Sequence, residues 1–166
     1  MDDQEVMGDH ERRQDLAAML QPLVRGLIAA ELPVLARHGL TMWGYIVLSA
    51  LDDAPQSSQA SLAERIGADK TRIIATLDAL QEAGLITRDP DPADRRARIL
   101  SITADGREAR DGAQHEIQRG EERLLARLAP AERQAFLRAA GLLSALPPGE
   151  ITAQVTDEIA GPGNPR

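Results

Sequence analysis

The chain has no cysteine. That excludes a disulfide framework, a thiolate zinc site and a cysteine redox switch. Aromatic residues are almost as scarce: Trp43, Tyr45 and Phe136 are the whole set in 166 residues. With 43% apolar content, the core must therefore be aliphatic. Lysine occurs once, at Lys70, so arginine carries the rest of the positive charge. His10, His38 and His115 stand far apart, without metal-type spacing. The stretch HEIQR (115–119) lacks the second histidine of a zinc-protease helix, and GPGNP near the C-terminus has no strand before it and no helix after it to make a phosphate loop. No apolar run approaches the ~20 residues needed to cross a bilayer. The opening MDDQEVMGDHERRQ is charged and has no apolar signal core. A soluble cytoplasmic protein with no enzyme chemistry, cofactor, metal or membrane partner is the expectation.

What is present is a charge puzzle. The formal net charge is -7, and an acidic chain offers phosphate no general attraction. A nucleic-acid reading must rest on a local patch. DPADRRARILSITADG (91–106) supplies one, with Arg95, Arg96 and Arg98 crowded behind an acidic, proline-broken run.

Apolar periodicity orders the chain. Leu16, Met19, Leu20, Leu23, Leu27 and Ile28 recur at threes and fours, one face of a helix. Pro22 and Pro33 predict that this helix is kinked or broken. Gly39 suits its end, Thr41 can cap the next helix, and MWGYIVLSAL (42–51) is apolar nearly all round, so it should be central. After the turn-forming DDAPQSS, Ser58 reads as the cap of a helix with Leu62 and Ile66 inward. GAD (67–69) is a tight turn, and Asp69 can cap KTRIIATLDALQEA, whose inner face is Ile73, Leu77 and Leu80. Two short helices about such a turn form a helix-turn-helix. LITR (85–88) and ARILSIT (97–103) read as two strands of a hairpin. A long helix follows from Thr103, with a stripe of Ala109, Ala113, Ile117, Gly120, Leu124 and Leu128, and a last helix covers 129–146. Residues 1–14 and 147–166 read as flexible ends.

Four stretches, in this order, resemble the MarR (multiple antibiotic resistance regulator) family of winged-helix transcription factors. They are HGLT with Tyr45, Val47 and Leu48 behind it; LAERIGADKTRIIATLDALQEAGLITR; DRRARILSITADGREA; and LAPAERQAFLRAAGLL. The resemblance implies a mainly α fold with a small β-hairpin wing. It places a winged helix-turn-helix (52–103) within an all-helical dimerisation scaffold (15–51 and 104–146).

The second helix of a helix-turn-helix enters the major groove, its early residues reaching base edges. Here these are Lys70, Thr71, Arg72, Ile74, Ala75 and Thr76. This helix departs from the family's common basic or hydroxyl middle at Ile74, Ala75 and Asp78. An apolar Ile74 suits a thymine methyl. The wing arginines are either a solvated tip or minor-groove probes, since narrow A·T grooves attract arginine. The resemblance implies that Asp94 and Arg96 act as a pair, with Arg95 or Arg98 on phosphates. A palindromic operator needs a two-fold homodimer. Its interface would use Leu16, Leu20, Leu23, Leu124, Leu128, Phe136, Leu142, Leu143 and Leu146. A small-molecule effector is a further implied partner, with His38, Trp43 and Tyr45 as local candidates. These three also read simply as core packing. The competing function is a winged-helix module that binds protein and has lost DNA affinity, favoured by the acidic charge and the muted helix.

Overall fold

The computed structural model describes residues 14–53, 57–92, 94 and 98–156. The order of elements is α1 (Leu16–Arg37), α2 (Met42–Asp53), β1 (Ser57–Ser58), α3 (Gln59–Ile66), α4 (Lys70–Glu82), β2 (Ile86–Pro90), β3 (Arg98–Ile102), α5 (Ala104–Leu125), α6 (Pro130–Ser144) and α7 (Pro148–Thr156). The chain divides into two compact units, Met1–Gly120 and Glu121–Arg166, with α5 crossing the boundary.

In the first unit α2 is the hub. It touches α1, α3, α4 and β3, which is why a helix apolar on most sides is needed there. Val47, Leu48 and Leu51 of α2 are fully buried, and Leu62, Ile73, Leu77, Leu80 and Leu100 close around them. No aromatic residue belongs to this buried set. Tyr45 packs against it from the edge.

Local chemistry sets the ends of these helices. Thr41 Oγ1 accepts from the Gly44 N–H at 3.0 Å, opening α2. Ser58 Oγ accepts from the Ser61 N–H at 3.2 Å, opening α3. Asp69 Oδ1 accepts from the Arg72 N–H at 2.9 Å, opening α4. Between α3 and α4, Gly67 sits at φ 64°, a left-handed conformation that a Cβ disfavours. That residue makes the tight turn between the two helices possible.

The sheet has three strands in the order β1-β3-β2, all antiparallel. Ser57 and Ser58 pair with Leu100 and Ile99, while Ile86 pairs with Ile102 and Arg88 with Leu100. The two-stranded hairpin expected from the sequence is therefore present, with a two-residue strand added at its far edge.

Three other expectations are corrected. Of the kink or break expected in the first helix, the break is absent: the helix is continuous from Leu16 to Arg37 with Pro22 and Pro33 inside it. Each proline removes one donor, for the carbonyls of Ala18 and Ala29, and all four residues are exposed, so water can serve those carbonyls. By length and composition this helix is also apolar enough to cross a bilayer, against the expectation that no apolar run approaches that length; Gln21, Arg25 and Glu31 are spread along it and hide the run in the sequence. Finally, Pro148–Thr156 form α7 rather than a flexible tail. Pro148 is its first residue, where its missing N–H costs nothing. Glu150 lies in its first turn, where the helix dipole favours negative charge.

The second unit is built on α6 and α7. Pro130 occupies the first turn of α6, and the Glu132 carboxylate accepts from the Ala129 N–H at 2.9 Å. Arg133 donates to Glu122, tying α6 to the end of α5.

Candidate nucleic-acid interface

Helix α4 has two faces. Ile73, Leu77 and Leu80 are buried, which fixes the helix against α2 and the sheet. The positions between them look outward. Thr71, Arg72, Ile74 and Ala75 are exposed, and Ile74 keeps 46% of its surface open to solvent. An apolar side chain so exposed, one turn into the second helix of a helix-turn-helix, is what contact with a thymine methyl requires. Thr76 is half-buried, and its hydroxyl donates to the Arg72 carbonyl at 2.9 Å, so it is engaged on its own helix. Lys70 begins the helix; its side chain lies outside the described residues.

Arg72 is held on three sides. Its N–H donates to the capping carboxylate of Asp69, its Nε stands 3.4 Å from Asp69 Oδ2, and its guanidinium lies 5.3 Å from the centre of the Trp43 ring on α2. The backbone hydrogen bond from Arg72 is the main reason that the Asp69 carboxyl is held below its ordinary pKa. Asp69 thus stays ionised as a cap.

Asp78, an acidic residue in the middle of this helix, is not left as a free negative charge. Arg88 on β2 donates from Nη2 to Asp78 Oδ1 at 2.5 Å. Neither this pair nor the Arg72–Trp43 contact was legible in the sequence, because each joins different elements with no shared periodicity.

The wing is built by β2 and β3. Asp94 and Arg98 are both exposed. Arg95 and Arg96 lie outside the described residues. The return strand is anchored by Leu100 and Ile102, both buried. Thr103 then locks wing to helix. Its hydroxyl donates to the Gly84 carbonyl at 2.8 Å and accepts from the Gly106 N–H at 3.0 Å, while its own N–H donates to the Leu85 carbonyl at 3.0 Å.

The candidate effector residues have separate engagements. His38 Nε2 is 3.2 Å from Glu116 Oε2 on α5, and Arg37 pairs with the same carboxylate. Arg37, then His38, hold the Glu116 carboxyl below its ordinary pKa. The His38 ring also rests on Gly112, where a Cβ would stand 2.9 Å from ring carbon Cε1. Trp43 faces Arg72, and Tyr45 packs on the core.

The apolar residues expected at a shared interface are mostly uncovered. In the first unit Leu16 and Leu20 are exposed and Leu23 is half-buried. In the second, Leu124, Leu128, Phe136, Leu142 and Leu143 are exposed and Leu146 is half-buried. Ile151 and Val155 of α7 are exposed as well. Neither is expected from the sequence, in which the segment reads as a tail, although Ile151 and Val155 are four apart, a helical spacing.

Comparison with known proteins places this arrangement. The MarR family model matches residues 38–97, from the residue after α1 to the one before β3. A proposed transcriptional regulatory protein for the hcr operon of Thauera aromatica is 33% identical over 140 residues, covering 84% of this chain and 78% of that protein. The transcriptional repressor CouR, solved bound to a 23-mer DNA duplex, superposes with a TM-score of 0.68 at 30% identity, over 78% of this chain and 92% of that one. The PcaV transcriptional regulator of Streptomyces coelicolor, solved with its natural ligand, gives a TM-score of 0.59 at 28% identity, over 80% and 96%.

Proposed function

The chain belongs to the MarR family of transcriptional regulators, and from that premise we propose that it is a homodimeric repressor that reads a palindromic operator and lets go when a small molecule binds. It is a DNA-binding regulator and not an enzyme.

The observation that carries the proposal is the outward face at the start of α4. Thr71, Arg72, Ile74 and Ala75 are exposed while the opposite face is buried. Such a face serves one purpose well, presentation of side chains to base edges in a major groove. Pairing of Asp78 with Arg88 removes an acidic charge that would repel phosphate. The wing supplies Asp94, Arg95, Arg96 and Arg98 for the flanking minor groove and phosphates. CouR, similar in both sequence and fold, is a repressor with DNA bound, which supports DNA as partner and repression as the sign.

One winged helix reads few base pairs, so two copies are needed, with recognition helices ~34–36 Å apart. The exposed leucines of α1, and those of α6, supply apolar surface for a second copy rather than for a bilayer. A regulator of this class works in the cytoplasm, where its DNA is. PcaV holds a ligand, which supports an effector here; His38, Trp43 and Tyr45 are the candidate contacts.

A gel-shift titration across salt concentrations tests the reading. The proposal expects affinity to fall steeply with salt, because each phosphate neutralised releases counterions. Weak binding that salt does not alter would instead favour a protein-binding module, for which the net charge of -7 is the motive.

A further inference from the structure

The single tryptophan of the chain lies under the one arginine on the outward face of α4. We propose that Trp43 is a positioning residue for base reading: its ring and the Asp69 carboxylate together hold the Arg72 guanidinium so that its terminal nitrogens bond the O6 and N7 of a guanine in each half-site. This rests on α4 being the recognition helix.

The geometry supports each part. A guanidinium 5.3 Å from a ring centre is within the range of cation–π attraction, for which tryptophan is the best partner. Asp69 Oδ2 stands 3.4 Å from Nε of the same side chain. The Asp69 carboxylate is itself fixed, since Oδ1 accepts the Arg72 N–H. Two anchors hold a long side chain that would otherwise lose rotamer freedom on binding. Nε is thereby used, and among the described residues the two Nη groups make no hydrogen bond. Arg72 keeps about half of its side chain exposed, 55%, so those two donors remain open to a ligand. A planar pair of free N–H donors at the start of a recognition helix matches the two acceptors on the major-groove edge of guanine.

The arrangement also explains an odd placement. Trp43 is on α2, the central helix, yet it is half-exposed and outside the buried core. A ring buried in the core could not reach an arginine at the surface. One that supports an arginine at the surface has to lie at the edge.

Selection from random duplex DNA, run in parallel on the wild type and on Trp43→Leu, Trp43→Phe and Arg72→Lys, tests this. The wild type should enrich a guanine at one position of each half-site. Trp43→Leu and Arg72→Lys should lose that preference, with other positions unchanged, and Trp43→Phe should keep most of it. A merely structural role would lower enrichment at every position alike. On the recovered wild-type duplex, Trp43→Leu should weaken binding by about two- to fivefold, the reach of an exposed cation–π contact. Arg72→Lys leaves the core intact, and the tryptophan emission of that variant should differ from wild type before DNA is added. A guanine preference that survives Trp43→Leu, or identical emission from wild type and Arg72→Lys, would overturn the positioning role. Should the wild type enrich no sequence at all, the DNA-reading assignment fails and the positioning role with it.

Discussion

The Leu85 carbonyl oxygen stands 2.1 Å from where a Cβ on Gly106 would be. No side chain fits there, because the obstacle is backbone. The closeness has a use: the first turn of α5 is pressed onto the start of the wing, and Thr103 binds Gly84, Leu85 and Gly106 at once. The pattern Thr-x-x-Gly is the means by which wing and long helix are held as one piece. Gly106→Ala should therefore destabilise the fold at the upper end of about 1–3 kcal/mol, the cost of overpacking a tight site. Urea unfolding checks it, and an unchanged midpoint would count against the close approach.

Asp78 on α4 is neutralised by Arg88 on β2. Removing the arginine should expose an acid beside the DNA. Arg88→Ala is expected to weaken duplex binding roughly three- to tenfold at low salt, with the deficit shrinking as salt screens the charge. Asp78→Asn in the same protein should restore most of the loss. Fluorescence anisotropy with the wild-type duplex measures both, and failure of the second change to rescue would mean that Arg88 acts otherwise.

Glu116 joins α5 to the end of α1 through Arg37 and His38. Its carboxyl is held below the ordinary value of 4.5 in the folded chain. A proton therefore binds the unfolded chain more readily. The clip contributes fully above the ordinary carboxylate range and is lost as pH falls through the lower, folded value. Glu116→Gln should cost stability near neutrality and cost nothing in acid well below that range. Urea midpoints of the two proteins at both pH values test the sign; a gap that widens in acid would contradict it.

Leu142 and Leu143 are 73% and 54% exposed on α6. Two aspartates there bury nothing within one chain, so folding should survive. Leu142→Asp with Leu143→Asp is expected to give folded monomers in sedimentation, with duplex binding lost. A dimer that persists would remove α6 from the interface.

Much of this was readable from residue order because the signals were local. Ser58 and Asp69 stand where caps belong, three residues before the N–H groups they accept. The 3.6-residue period of Ile73, Leu77 and Leu80 marked the inward face of α4, and all three are buried. The strand β1 was invisible because two serines carry no alternation; only pairing with β3 makes them a strand. The prolines of α1 do not break the helix because both lie on its exposed side, and exposure is a tertiary property. Trp43 beneath Arg72 could not be found for the same reason: the two are 29 residues apart on different helices.

The central claim is that two copies of the α4 face read two copies of one short sequence. Selection of bound duplexes from random DNA by the wild-type protein tests it most directly. The account predicts an enriched palindrome whose half-sites are centred one helical turn apart, about 10 base pairs. Recovery of unenriched, random sequence would contradict it.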